Sequence, residues 1–230
     1  MNSDKLVLFD IDGTLLYSTS PLLRGRFSYA MEKVYGETHP IDWESIEGHT
    51  DTTVFLSTLT KKGFTREQII EKLPEAFEVT FEHFSQNVTE AYKETILPGA
   101  KEILTFLNSR VHLGVLTGNY EKIAWHKLEL VGLRDFFSFG LFGHEAEDRN
   151  SLAKLVLGKA KLHFHKDFLS KNIIFVGDTP KDIACAREID AKVIAVTTGK
   201  YAKKELEQLK PDLLVSNLQD TRLPEFILSK

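Results

Sequence analysis

Short, mostly apolar runs punctuate the chain at Leu6 to Phe9, His112 to Leu116, Ile173 to Val176 and Val193 to Val196, with Asp212 to Val215 a weaker fifth. Aliphatic and β-branched residues in unbroken runs, without polar alternation, suit strands covered on both faces of a parallel sheet. Between them, apolar positions recur at helical spacing over Ala100 to Asn108, Glu121 to Val131, Ser151 to Leu162 and Ile183 to Ile189. Strand and helix in alternation predict an α/β fold with a mainly parallel sheet.

One stretch breaks the alternation. From Ser18 to Glu94 no strand pattern appears, and Phe27, Ala30, Met31 and Val34 share one helical face. Val54, Phe55, Leu56 and Leu59 follow on a second helix, and Phe77, Phe81 and Phe84 on a third. Gly48-His49-Thr50-Asp51 reads as the start of the second helix, with Thr50 or Asp51 as its cap. The expected organisation is a core of residues 1–17 and 95–230, interrupted by an all-helical insert over 18–94. The phenylalanine stripe reads as packing between helices.

Composition narrows the class without naming a chemistry. A chain of 230 residues that is 42% hydrophobic and 27% charged can bury a core of moderate size. Its net charge of -4 offers no overall attraction to nucleic acid or an anionic membrane. One cysteine precludes an internal disulfide and a cysteine zinc site. The apolar runs are far shorter than a membrane span, and Met1-Asn2-Ser3-Asp4-Lys5 lacks a signal-peptide layout. A cytoplasmic protein without membrane or nucleic-acid partners is the expectation.

Ligands of open parallel sheets bind beyond the carboxyl ends of strands, so polar groups there carry most weight. The first strand runs into Asp10-Ile11-Asp12-Gly13-Thr14. Two carboxylates before a turn glycine could serve a metal, an acid/base step or a covalent step, or simply end the strand. The second strand runs into Thr117-Gly118-Asn119, where a hydroxyl and successive backbone amides suit an anionic oxygen. Asn119 could equally cap the following helix. Further on, Gly177-Asp178-Thr179-Pro180-Lys181-Asp182 adds a third carboxylate at a strand end, while Thr179 to Asp182 has the form of a capping box. Clustered carboxylates repel unless a cation lies among them, and an all-oxygen donor set selects a hard ion such as Mg²⁺.

In order and spacing these three motifs resemble the haloacid dehalogenase superfamily of phosphohydrolases, and the insert resembles the helical cap of its phosphoglycolate phosphatase and β-phosphoglucomutase branch. The resemblance implies a doubly wound core of five or more strands, with the cap closing over the cleft. It implies that Asp10 is the nucleophile and Asp12 the acid and base. Mg²⁺ would be held by Asp10, the Asp12 carbonyl and Asp178, with Asp182 close by. Thr117, Gly118 and Asn119 would hold phosphoryl oxygens. The family's usual lysine before the helix that precedes the Asp178 strand is missing from Gly143 to Ser151. Arg149 is the candidate replacement, with Lys154 the fallback.

Arg24 and His49 are the polar cap residues expected to contact substrate, and Leu15, Leu16 and Tyr17 are expected to form a hinge and a cleft wall. The remaining histidines, His163 and His165 among them, read as surface residues, and Lys200 to Lys204 as a solvated helix end. The leading expectation is a Mg²⁺-dependent phosphatase, monomeric or homodimeric, acting on a small phosphorylated metabolite such as phosphoglycolate or a sugar phosphate. A phosphomutase shares the same core. A phospho-aspartate signalling module is the alternative of a different class, although such modules lack the helical insert.

Overall fold

A computed structural model describes residues 4–46, 48–88 and 95–229. The elements in chain order are β1 (Leu6–Phe9), β2 (Leu16–Tyr17), α1 (Leu22–Tyr35), α2 (Asp51–Thr60), α3 (Arg66–Asn87), β3 (Thr95–Ile96), α4 (Ala100–Leu107), β4 (His112–Leu116) and α5 (Glu121–Leu130). Next come β5 (Phe139–Leu141), α6 (Arg149–Lys154), α7 (Val156–Phe164), β6 (Ile173–Gly177), α8 (Pro180–Arg187), β7 (Lys192–Val196), α9 (Lys203–Gln208), β8 (Leu213–Val215) and α10 (Arg222–Leu228).

Six strands form a parallel sheet in the order β5-β4-β1-β6-β7-β8. The pleat of β1 sorts its side chains. Val7 and Phe9 enter an apolar cluster with α4, α5 and α10, while Leu6 and Leu8 enter another with α6, α7 and α8. Helices therefore cover both faces, as the unbroken apolar runs require, and the doubly wound expectation holds.

Three differences from the sequence reading have local causes. A sixth strand, β5, is only three residues long and contains Gly140, so it carries too little pattern to register. The helix expected over Ser151 to Leu162 is two, α6 and α7, meeting at Leu155. Leu15 and Leu16 are fully buried in the core, so they cannot line a cleft, and Tyr17 is half exposed. Leu16 and Tyr17 instead pair with Ile96 and Thr95 in a two-stranded antiparallel ladder where the chain leaves the core and returns.

The insert's helices α1, α2 and α3 bury their own cluster around Phe27, Phe55, Phe77 and Phe84. Phe81, a member of the expected stripe, is only partly buried at its edge. Tyr120 and Ile123 of the α5 segment complete this cluster, while Ala124 and Leu128 of the same helix pack into the core. Thus α5 is shared between cap and core. The expected end of the insert at Glu94, like the Met1-Asn2-Ser3 start, lies outside the described residues. No helix among the described residues is long and apolar enough to cross a membrane.

Candidate active site

The site begins where β1 stops. Asp10 N donates to Val176 O (2.9 Å), so the residue still lies against β6, and the chain then turns through Gly13. Gly13 has φ 79°, and a Cβ there would lie 2.3 Å from Asp178 Oδ2, so both conformation and space demand glycine. Thr14 Oγ1 donates to Asp178 Oδ1 (3.0 Å), tying the first turn to the end of β6. Thr198, beyond β7, donates to Gly13 O and closes the rim.

After β6 the chain enters α8 through the expected capping box. Asp182 N donates to Thr179 Oγ1 (3.3 Å), and Thr179 N donates to Asp182 Oδ2 (2.9 Å). The box holds the Asp182 carboxylate inward, 2% exposed. Asp10, Asp178 and Asp182 each present a carboxylate oxygen within 4.8 Å of the others. Burial, first, and the neighbouring Asp182 and Asp12 charges push Asp10 up to about 7 against the pull of Arg149. Burial and the Asp182 and Asp10 charges likewise raise Asp178 well above the usual carboxylate range. Convergent carboxylate oxygens whose charges repel fit a hard divalent cation, with Asp10 and Asp178 open to it and Asp182 already engaged by Arg149 and Thr179.

Arg149 opens α6, whose N-terminus is capped by Asp148. Its position is decisive. The guanidinium is 3% exposed and bridges Asp10 Oδ1 (2.9 Å) and Asp182 Oδ1 (2.6 Å), with Leu116 O at 3.3 Å. It is thus a buried cation among the carboxylates. Lys154 instead pairs with Glu188 at the surface, with 61% of its side chain exposed.

Asp12 stands on the other side of the cleft, its side chain 44% exposed. Asn119 Nδ2 donates to Asp12 Oδ2 (2.7 Å) and to Thr117 Oγ1 (2.9 Å), while Lys127 Nζ donates to Asp12 Oδ1. Partial desolvation in the cleft raises the proton affinity of Asp12. The Lys127 charge, the hydrogen bonds from Lys127 and Asn119, and the more distant Arg26 outweigh it and hold the carboxyl below its ordinary range. The cluster so described holds Asp10, Asp12, Asp178 and Asp182 against Arg149 and Lys127, and a divalent ion would balance that excess of negative charge.

The cap meets this rim through the N-terminus of α2. Thr50 is the N-cap, accepting from Thr53 N. Asp51 N donates to Gly118 O (2.7 Å), and Thr52 Oγ1 donates to Gly143 O (2.7 Å). Gly118 is required by this close approach, since a Cβ there would sit 2.1 Å from His49 O. His49 is half-buried against the site; burial and the charges of Lys181 and Arg149 lower its proton affinity. Arg24 is exposed, its guanidinium 5.1 Å over the Trp43 ring, and no ion pair among the described residues joins it to the acidic cluster. The buried cap arginine is Arg26, paired with Asp51 (3.0 Å), which also accepts from Tyr120 N (2.9 Å).

Sequence reasoning missed Lys127, Thr14 and the Arg26–Asp51 pair. A signal for Lys127 was present, because a lysine interrupts the apolar stripe Ile123, Ala124 and Leu128 of α5. The histidines are also less uniform than expected. His163 and His165 are exposed, whereas His144 packs against Phe77 and Tyr120 beside a separate cavity of about 670 Å³ between α3 and the loop after β5. No member of the acidic cluster lines that cavity.

A parallel sheet whose strand ends gather carboxylates around a buried arginine, beneath inserted helices, defines a cap-bearing α/β hydrolase. The chain belongs to the haloacid dehalogenase-like hydrolase family, whose sequence profile matches residues 7–196. Over 219 residues it is 29% identical to a phosphoglycolate phosphatase of Chromobacterium violaceum, covering 94% of each chain. Its fold is similar to that of a predicted phosphatase from Clostridium acetobutylicum (TM-score 0.68, 19% identity, 98% of this chain and 99% of that one). It is also similar to a predicted phosphoglycolate phosphatase from Haemophilus somnus 129pt (TM-score 0.66, 20% identity, 98% and 99% covered).

Proposed function

We propose that this chain is a Mg²⁺-dependent phosphatase that hydrolyses a small phosphomonoester through an aspartyl-phosphate. The observation that carries the reading is the pairing of a buried Asp10, bound by Arg149, with a half-exposed Asp12 across the same cleft. Asp12 takes up a proton as the anionic ester enters the cleft and offsets the pull of Lys127. An Asp10 carboxylate oxygen then attacks phosphorus as the bond to the leaving oxygen breaks, and Asp12 passes that proton to the leaving oxygen. Asp12 then takes a proton from water, which attacks phosphorus, breaks the bond to Asp10 and frees inorganic phosphate.

Arg149 stabilises the nucleophile and the equatorial oxygens, and Thr117, the Gly118 amide and Asn119 cradle the phosphoryl group. Asp10, Asp178 and the Asp12 carbonyl would hold Mg²⁺, which when bound neutralises charge between carboxylate and phosphate. Asp182, already held by Arg149 and the Thr179 cap, orients that set rather than serving as a primary ligand. Residues 18–94 act as the cap domain over a core of 1–17 and 95–230, with His49 at the cleft and Arg24 more remote. A cytoplasmic metabolite is the substrate, and the named phosphoglycolate phosphatase relative makes phosphoglycolate the first to try.

The test is Mg²⁺-dependent release of phosphate across a panel of phosphate esters. A panel on which no ester is hydrolysed above the metal-free rate would refute the reading. Isomer formation from a hexose 1-phosphate, exceeding phosphate release, would replace it with the mutase.

A further inference from the structure

The buried Lys127 has no part in the roles assigned above, and its placement is costly. It projects from the inward face of α5, between Ala124 and Leu128, and is 0% exposed. An apolar side chain would satisfy that stripe without desolvating a charge, and replacing a buried ion pair by apolar groups is often neutral or stabilising for a fold. The stability of the fold therefore gives no reason for an ion pair at these two positions. Toward the site, lysine adds a donor to Asp12 Oδ1.

Its partner on the opposite oxygen is Asn119, from the loop that leads into the same helix. Lys127 and Asn119 thus grip both oxygens of one carboxylate, one from α5 and the other from the loop entering it. Among the described residues, Arg149 binds Asp10 and Asp182, and Lys127 binds Asp12.

We infer that Lys127 is the positioning residue of Asp12, fixing the plane and direction of the group that serves the leaving oxygen. The inference rests on the phosphatase reading of Asp12. Lys127 touches neither phosphorus nor the leaving group in this role, and acts through the carboxylate.

The experiment compares Lys127→Met, Lys127→Arg, Asp12→Asn and the Asp12→Asn/Lys127→Met pair with wild type. Each is assayed with Mg²⁺ on p-nitrophenyl phosphate and on the alkyl phosphate that the wild type hydrolyses best, and each is melted. An aryl leaving group needs little protonation and an alkoxide needs much. Lys127→Met should lower kcat/KM at least tenfold more on the alkyl than on the aryl ester, while the double variant, which removes both charges of the pair, should melt no lower than Lys127→Met alone. Lys127→Arg should recover part of the loss, and the double variant should lose no more than Asp12→Asn alone.

Equal losses on the two esters, losses that multiply in the double variant, or a lowered midpoint with wild-type kcat/KM would overturn the inference while leaving the phosphatase reading intact. A wild type that releases no phosphate would fell both.

Discussion

Asp10 and Asp12 are separated by one residue and live in opposite surroundings. Asp10 lies buried among like charges with one arginine, and burial drives its carboxyl up to about 7. Asp12 faces the cleft between an ammonium and an amide that hold its carboxyl low. The turn at Gly13 creates the difference by sending the chain out of the sheet immediately after Asp12. The lesson is that the backbone path, more than residue type, assigns distinct chemistry to identical side chains.

The sharpest way to break this contrast is Asp10→Asn, which should reduce turnover by about 10⁴-fold or more while preserving the fold. It also tests the electrostatics. The folded-state carboxyl is raised, so the stability Asp10 contributes is present below its unfolded value near 4 and lost as pH rises through about 7. Metal-free wild type should therefore lose thermal midpoint relative to Asp10→Asn between pH 4 and 8, and Mg²⁺ should restore it most at pH 8. Parallel melting curves for the two proteins across that range would contradict the assigned environment.

Arg149→Ala comes next. It should slow turnover about 10²- to 10³-fold and, without metal, destabilise by about 3–5 kcal/mol because Asp10 and Asp182 are left buried without their cation. Single-turnover rates and denaturant melts would check the two effects. Gly118→Ala presses a methyl group onto His49 O and should oppose seating of the cap by about 1–3 kcal/mol, read as a fall in kcat/KM with little change in the core's melting. Lys154→Ala sets the baseline. Its pair with Glu188 is solvent-screened, so neither activity nor the thermal midpoint should move measurably.

The parts of the site that could be read in advance were those tied to strand ends. Runs such as Ile173 to Val176 announce a buried strand, and the residues just past its carboxyl end must sit on the rim. Arg149 drew attention because the family resemblance implies a cation in that segment, and the structure places it against Asp10 and Asp182. Lys127 was hidden by its neighbours, since the helical pattern of α5 survives a single polar interruption. Phase could not separate Arg24 from Arg26. Arg24 lies three residues before Phe27 and seven before Met31, in phase with the inward face of α1, yet in the first turn it is exposed over Trp43, whereas Arg26 reaches Asp51 of α2. The close approach of His49 to Gly118 joins residues distant in sequence, and no local pattern reports it.

The position of β1 has a consequence for biosynthesis. This first strand lies in the middle of the sheet, with β4 on one side and β6 on the other, in register with residues around 112 and 173. A nascent polypeptide must therefore carry Leu6–Phe9 without either neighbour until most of its length has left the ribosome. Translation arrested before β6 would leave a sticky apolar edge and no acidic centre, a state suited to chaperone capture.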